Sequence, residues 1–558
     1  MKKVFTLMLG ITSYVGTASA TVYYVDALGG SSTGTGQTWA TAVKNIEQAQ
    51  VLADGNAGTD DIYVKGGTLS FPGSSLVIRA TNDVNVYGSF KGIDGETPAT
   101  RPMMDVDGDG IIEPWEFEYP TIICSTNPNN AVSLAATIFD GFTITHVGTK
   151  TTGVMTSIVG VAGATFQNNI IKNSLVNITI NGTSVYDGIL IKAIGTFKNC
   201  LIEKNTVNAI VAFSTGGADK YFAPIMGITG GSTVTGCVFR NNKGIIDCSG
   251  SSAGATSSVK GVIVNLYGAA TGSTYFTNSL VYNNEVVYIP GTATGVTTTL
   301  TSGCIVGTSG LGSTLSSNYI LNCTIANNKT TNCANGGVFL YNNNAIVNYF
   351  ENNALWNNQL GGVVKNLAIN SNVTTGRVGY NVMNKGNNGT YTVAATLNNI
   401  FDLNITNVDS VTSPRFKMPT TLIGCNRVTG SADSISIAQA DWRLNSATSY
   451  LIGKGIVTTN LIDKAGKTFA TSPTVGAYEY DASISAVIPV NQNVSTIAYL
   501  NNRKIISYQT GNLQIYNLSG LAIWNGTVEK DQKIAMPSGC YILRLNSSRE
   551  ICTQKIIL

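Results

Sequence analysis

Charge is what this chain has least of. Only 12% of its 558 residues are Asp, Glu, Lys or Arg, against roughly 25% in an ordinary soluble domain. The 34 basic and 31 acidic residues nearly cancel. They form no basic run or stripe, which argues against nucleic acid as a partner. Histidine occurs once, as His146, so the sequence offers no Ser-His-Asp set and no Cys/His metal cluster. After the N-terminus no stretch reaches the ~18 uncharged apolar residues that a membrane-spanning helix requires. Helical periodicity is nearly missing from 100 to 480. The lack of charge is not a mark of disorder, because the chain is rich in Val, Ile and Thr and carries 60 Gly.

The N-terminus has the form of a targeting segment. Lys2 and Lys3 precede an apolar run from Val4 to Val15, and Ala18-Ser19-Ala20 fits a small-residue cleavage site. Residues 1–20 therefore read as a secretory signal peptide, in preference to a short buried helix. The mature chain is then expected outside the cytoplasm, where its ten Cys can meet oxidant.

Six stretches share one pattern: FQNNIIKN from Phe166, FKNCLIEKN from Phe197, VTGCVFRNN from Val234, FTNSLVYNN from Phe276, ILNCTIANN from Ile320 and FENNALWNN from Phe350. They start 31, 37, 42, 44 and 30 residues apart. Such a period marks structural layers that cannot bury their apolar side alone. Between the copies, Gly followed by apolar residues recurs at Gly188, Gly227, Gly261, Gly303 and Gly337, so each layer holds at least two short strands. A propeller blade needs four strands at near-constant spacing. A solenoid tolerates coils of unequal length, and the variable spacing favours it.

Stacking the copies predicts three columns. Phe166, Phe197, Val234, Phe276, Ile320 and Phe350 form an interior stack. Cys200, Cys237 and Cys323 share a position with Asn169, Ser279 and Asn353, which suits a buried small side chain and a free thiol better than a disulfide. Glu203, Arg240, Tyr282, Ala326 and Trp356 point outward as a solvated ridge, on which Tyr282 and Trp356 could stack on sugar rings. Asn at the turns tolerates the left-handed conformation and can bond to the amide one coil away. His146 falls where the repeats place Asn, so a turn or ladder role is expected in preference to a general base. Ala42 to Leu52 can form one amphipathic helix, with Val43, Ile46 and Ala49, and Ala53 beyond, on one face.

In these features the chain resembles the right-handed parallel β-helix proteins of the pectin-lyase-like class over most of residues 21–480. Tyr23-Tyr24-Val25, Gly36-Gln37-Thr38-Trp39-Ala40-Thr41-Ala42 and Asp61-Ile62-Tyr63-Val64-Lys65-Gly66-Gly67-Thr68 look like that family's N-terminal cap. Val86 to Phe90 and Phe139 to Ile144 resemble its first coils, and Asp441-Trp442-Arg443-Leu444 through Val475 to Tyr480 its closing segment. The resemblance implies an all-β fold, a solenoid with a short N-terminal cap helix. It does not fix an activity, because the same shell serves enzymes and adhesins.

Residues 481–558 change character. Leu513-Gln-Ile-Tyr-Asn-Leu-Ser-Gly520, Pro537-Ser-Gly-Cys-Tyr-Ile and the final Lys555-Ile-Ile-Leu558 resemble the C-terminal sorting domain of cargo exported by type IX secretion in Gram-negative bacteria. That implies a small β-sandwich, secretion machinery as a partner, and a secreted or cell-surface location; an ordinary accessory sandwich is the alternative. Cys540 and Cys552 stand where apolar residues are more usual there. They flank the turn-like Asn546-Ser547-Ser548, and a hairpin could bring them together as a disulfide.

The sharpest local motif is Asp105-Val-Asp107-Gly-Asp109-Gly110-Ile111-Ile-Glu113-Pro-Trp-Glu116. It follows the EF-hand calcium loop, with carboxylates from Asp105, Asp107, Asp109, Glu113 and Glu116, the turn Gly at Gly110 and a backbone carbonyl from Ile111. Ca²⁺ needs six to eight hard oxygens from one tight loop, whereas a bare acidic turn has no use for this spacing. Pro114 opposes a following helix, so a structural calcium loop inserted between early coils is expected, not a switch.

No catalytic cluster is evident. Lys172, Glu203, Lys204, Arg240, Glu285 and Glu351 are scattered over the copies and do not make the paired carboxylates of glycoside chemistry. The first reading is thus a non-catalytic secreted or surface-attached protein that binds polysaccharide, a cell-surface glycan or another surface. The second is a polysaccharide lyase or glycoside hydrolase whose site is built from inter-coil loops, with Asp187, Asp219, Lys220 and Asp247 as candidates.

Overall fold

The computed structural model describes residues 20–557 outside 55–57, 80–82, 128, 151–156, 181–187, 212–222, 251–260, 269–271, 292–303, 311–315, 342–345, 370–375, 385–395, 404–410, 429, 486–497, 502–503, 508–509, 518–521, 536–539 and 547–550. Residues 1–19 of the expected signal peptide at 1–20, and the candidates Asp187, Asp219 and Lys220, lie outside the described residues. The chain divides into two compact units, residues up to Ile484 and residues from Ser485 on.

The first unit is a parallel β-helix. One complete coil runs through Val159–Gln167, Ile170–Lys172 and Leu175–Ile180, and the next through Ile191–Lys198, Leu201–Glu203 and Thr206–Val211. Strands pair in parallel with their counterparts one coil on, forming three sheets, of which the third spans only the coils between Val147 and Leu360. The repeat columns are the register itself. Phe166 pairs with Phe197, Val234, Phe276, Ile320 and Phe350 in succession, and all six are buried. Phe139 extends the stack below, with its ring 5.8 Å from Phe166.

The corners explain the Asn content. A two-residue corner between sheets needs one residue in the left-handed region, which Asn tolerates. Asn168, Asn199, Asn278, Asn322 and Asn352 take it at the first corner, and Asn173, Asn241, Asn283, Asn327 and Asn357 at the second. The next residue turns inward. At the first corner this places Asn169, Cys200, Cys237, Ser279, Cys323 and Asn353 in the core, and the three cysteines are free thiols as expected. At the second corner Ser174, Asn205, Asn242, Asn284, Asn328 and Asn358 form a column. In it Asn205, Asn242, Asn284 and Asn328 each donate Nδ2 to the next Oδ1, at 2.7–3.0 Å. His146 is buried at the head of this column and donates its backbone N–H to Ser174 Oγ.

The N-terminal end is closed by a helix at Ile46–Ala53, capped by Asn45 Oδ1 accepting from the Gln48 N–H. Ile46, Ala49 and Ala53 cover the end of the core. The helix starts four residues later than the apolar spacing suggests; Val43 joins the core from a bridge to Val25 instead.

Residues 413–480 do not simply close the far end. They return along the outside of the second sheet as a strap, with strands at Phe416–Met418 and Asp441–Leu444 and a helix at Ala432–Ala438. Corner asparagines hold it by its backbone. Asn327, Asn283 and Asn241 donate to the carbonyls of Thr420, Leu422 and Asn426, while Asn352 and Asn278 donate to those of Ile456 and Ile462. Phe416, Trp442, Leu444, Leu451 and Val475 pack onto Leu201, Val238, Leu280, Tyr282 and Ala326 as a second core.

The second unit holds two antiparallel sheets. One contains Ala498–Asn501, Lys504–Ser507 and Lys533–Ala535; the other Gly511–Asn517, Ala522–Val528, Cys540–Asn546 and Ile551–Ile557. Leu513, Ile515, Val528, Ile534, Leu543 and Leu545 are buried among its described residues, as in a small β-sandwich. The expected hairpin forms, but its register corrects the disulfide expectation. Cys540 pairs with Ile557 and Cys552 with Leu545, which leaves the two cysteines about 17 Å apart along the strands at ~3.4 Å per residue. A disulfide needs Cα atoms within about 7 Å.

Candidate functional site: the acidic loop and the strap

The acidic loop is an insertion between Val84–Phe90 and Thr121–Ser125, closed at its base by a bridge between Met103 and Phe117. It is fixed by Arg101, whose Nη2 lies 2.6 Å from Asp140 Oδ1 in a buried pair. The Arg101 guanidinium also covers the Phe117 ring at 4.3 Å. Gly141, at φ +82, leaves room for it; a Cβ there would collide with Nη1.

The fold brings the predicted ligands together. Asp105, Asp107 and Asp109 offer oxygens within 4.8 Å of one another, and so do Asp107, Glu113 and Glu116. Glu116 is buried and orders the loop: Oε1 accepts from the N–H groups of Val106 and Asp107, and Oε2 from Glu113. Glu113 Oε2 is buried without a hydrogen-bond partner. Burial pushes the Glu113 carboxyl up to about 9, reinforced by the charge of Asp109. Burial and then Asp107 push Asp109 up to about 7. Ile111 lines the same enclosed space.

This loop meets the strap at Arg240. The Arg240 Nη2 lies 3.1 Å from Asp107 Oδ2, Nε 2.9 Å from Glu203 Oε2, and Nη1 donates to the Ala438 carbonyl at 2.6 Å. These partners and Tyr282 outweigh burial and hold Arg240 charged. Gln439 donates to the carbonyl of Asp107 at 3.1 Å, and Lys464 lies 4.8 Å over the Trp115 ring.

The ridge expectation is therefore corrected. The column Glu203, Arg240, Tyr282, Ala326 and Trp356 is in register and points away from the core, but the strap covers it. Glu203, Arg240, Tyr282 and Ala326 are buried. Tyr282 donates its hydroxyl to the Ile437 carbonyl, and Trp356 stacks on Phe416 at 4.9 Å. Neither presents a ring to a sugar. The column's own aromatic and apolar members, with Leu201, Val238 and Leu280 nearby, were the signal that something packs on this face.

Asp247 ends the strand Lys243–Asp247 and accepts from the Ser249 N–H. Among the described residues no three candidate ligand groups converge outside the loop at 105–116. The sequence pattern missed a different feature. Tyr275, Tyr319 and Tyr349 stand in register on the outer face of the first sheet. Their rings stack at 4.7 and 4.5 Å with interplanar angles of 12° and 3°.

Comparison with models of known protein families finds no match, and no curated protein matches the sequence. No helix among the described residues is long and apolar enough to cross a membrane.

Proposed function

We propose that this is a secreted or surface-attached β-helix protein of a Gram-negative bacterium, a pectin-lyase-like shell that binds glycan or another surface without chemistry. Residues 485–558 act as its type IX sorting domain. The observation that carries the non-catalytic reading is the enclosure of the carboxylates. Asp109, Glu113, Arg240, Tyr282, Asp441 and Lys464 surround a free space of only about 10 Å³, room for a water-sized group and not for a sugar.

The same enclosure suits a small cation. Asp105, Asp107, Asp109, Glu113 and Glu116, with the Ile111 carbonyl, would hold one Ca²⁺, whose charge would relieve the crowded carboxyls and occupy the unpartnered Glu113 Oε2. Asp107 has a second oxygen on Arg240, so an ion at the loop would also brace the strap. The sorting assignment draws its support from the terminal motifs and from the separate two-sheet unit.

The test is a polysaccharide panel applied to the purified protein, read for both binding and product. Binding without release of unsaturated or reducing ends is expected. Product formation lost on Asp247→Asn or Asp219→Asn would overturn this reading in favour of a lyase or hydrolase. Deleting residues 485–558 is expected to leave the chain inside the outer membrane; unchanged export would refute the sorting role.

A further inference from the structure

The tyrosine ladder has an end that opens into a cavity. Rings stacked face to face along the solenoid axis cover each other, so the exposed π-faces are those at the two ends. At the C-terminal end the next residue in register is Arg377. At the N-terminal end it is Thr233, followed by Thr196 and Thr165. An aromatic ring thus gives way to a small hydroxyl, and among the described residues no ring stacks on the face of Tyr275 turned from Tyr319.

A cavity of about 800 Å³ lies at that point, within the range of ligand sites. Its floor is the first sheet, with Thr233, Thr235, Tyr275 and Lys198 among its members, and its roof is strap residues 459–466. Lys198, Thr235, Thr277 and Leu321 are successive residues of one register row. The floor therefore runs across four coils, about 14 Å at ~4.8 Å per coil. The roof is anchored: Asn460 and Asn278 exchange side-chain hydrogen bonds, and Asp463 accepts from the N–H groups of Lys467 and Glu479.

We propose that this cavity binds an oligosaccharide, with one pyranose ring lying on the open face of Tyr275. The proposal rests on the glycan-binding reading above and names the site. A pyranose presents an apolar C–H face to an aromatic ring and hydroxyls around its edge. Tyr275 matches the face, while the Thr233 and Thr235 hydroxyls and the Lys198 ammonium match the edge. An elongated cavity along the coil axis suits a chain of rings better than a single compact metabolite.

The test uses the full-length protein on an array of neutral and uronic-acid oligosaccharides, the two arms reporting whether the ligand is charged. Tyr275→Ala is expected to lower affinity at least about tenfold, and Tyr275→Phe to keep it. Thr233→Tyr extends the ladder by one ring and fills the site, so it should abolish binding without lowering the melting temperature. Tyr349→Ala, at the far end, controls for loosening of the ladder and should leave affinity within about twofold. If the wild type binds a glycan and Thr233→Tyr binds it equally, this site is wrong and the glycan reading survives. If no oligosaccharide binds the wild type, both fall.

Discussion

The guanidinium of Arg240 reaches 133 residues back along the chain to Asp107, with Nη2 3.1 Å from Oδ2. Glu203 shares the same guanidinium from the preceding coil. Buried charges so arranged are costly to separate. Arg240→Met is expected to destabilise the first unit by about 3–5 kcal/mol, because two carboxylates lose their partner. Adding Glu203→Leu and Asp107→Asn should recover most of the loss. Denaturant midpoints decide it; a loss under about 1 kcal/mol would be that of a solvent-screened surface pair.

Calcium should bind at one site in isothermal titration and raise the melting temperature. At a hundredfold excess over Kd the stabilisation is about 2.7 kcal/mol. Asp105→Ala and Glu116→Ala should abolish both effects. Heat and melting temperature indifferent to Ca²⁺ would reduce the motif to an acidic turn.

The interior Asn column makes a prediction about coil stability. Asn284 accepts from the Asn242 N–H and donates to the carbonyls of Phe239 and Tyr282. Asn284→Ala orphans these groups and should cost about 2–3 kcal/mol. Asn208 bonds Asn177 in a partly exposed pair, and its replacement by Ala should cost under about 1 kcal/mol. Equal costs would mean that the inward column has no special role.

Asp441 sets an acid limit. Burial opposes its charge, but the hydrogen bonds and charge of Arg443, with Lys417 in support, win and hold the carboxyl below the usual range. Its contribution is present above the unfolded value of about 3.9 and is lost as pH falls through the lower folded value. Asp441→Asn should flatten the stability profile of the first unit below about pH 4; a profile that keeps its slope would put the acid sensitivity elsewhere.

Peptide mapping of the unreduced protein should recover no Cys540–Cys552 link, since the hairpin register holds those positions apart. Finding that link would refute the register.

What could be read in advance was whatever repeats in register. The Phe166-to-Phe350 stack, the Cys/Asn/Ser position and the corner asparagines each carry a side-chain signature once per coil. The calcium-like spacing is local and equally plain. The strap was hidden because its corner contacts use carbonyls, such as those of Leu422 and Ile456, and any residue has a carbonyl. The outward column is covered for the same reason: Arg240 and Tyr282 look solvated in the sequence, and the carbonyls of Ala438 and Ile437 accept their hydrogen bonds. Tyr275, Tyr319 and Tyr349 escaped because they lie one residue before the apolar position that drew attention. Near-symmetry of Cys540 and Cys552 about a turn does not place them opposite each other, because the register of the ladder sets the pairing.

The strap also changes how the whole array holds together. A bare solenoid couples each coil only to its neighbours and can fray from an end one layer at a time. Here the carbonyls of 420–426 are tied to corners 93 to 185 residues earlier, so the coils bearing Asn241, Asn283 and Asn327 cannot open without releasing a segment that grips the others. The strapped coils are expected to melt together, and their folding to wait on the arrival of residues 413–480, a long-range closure that should make the final step slow.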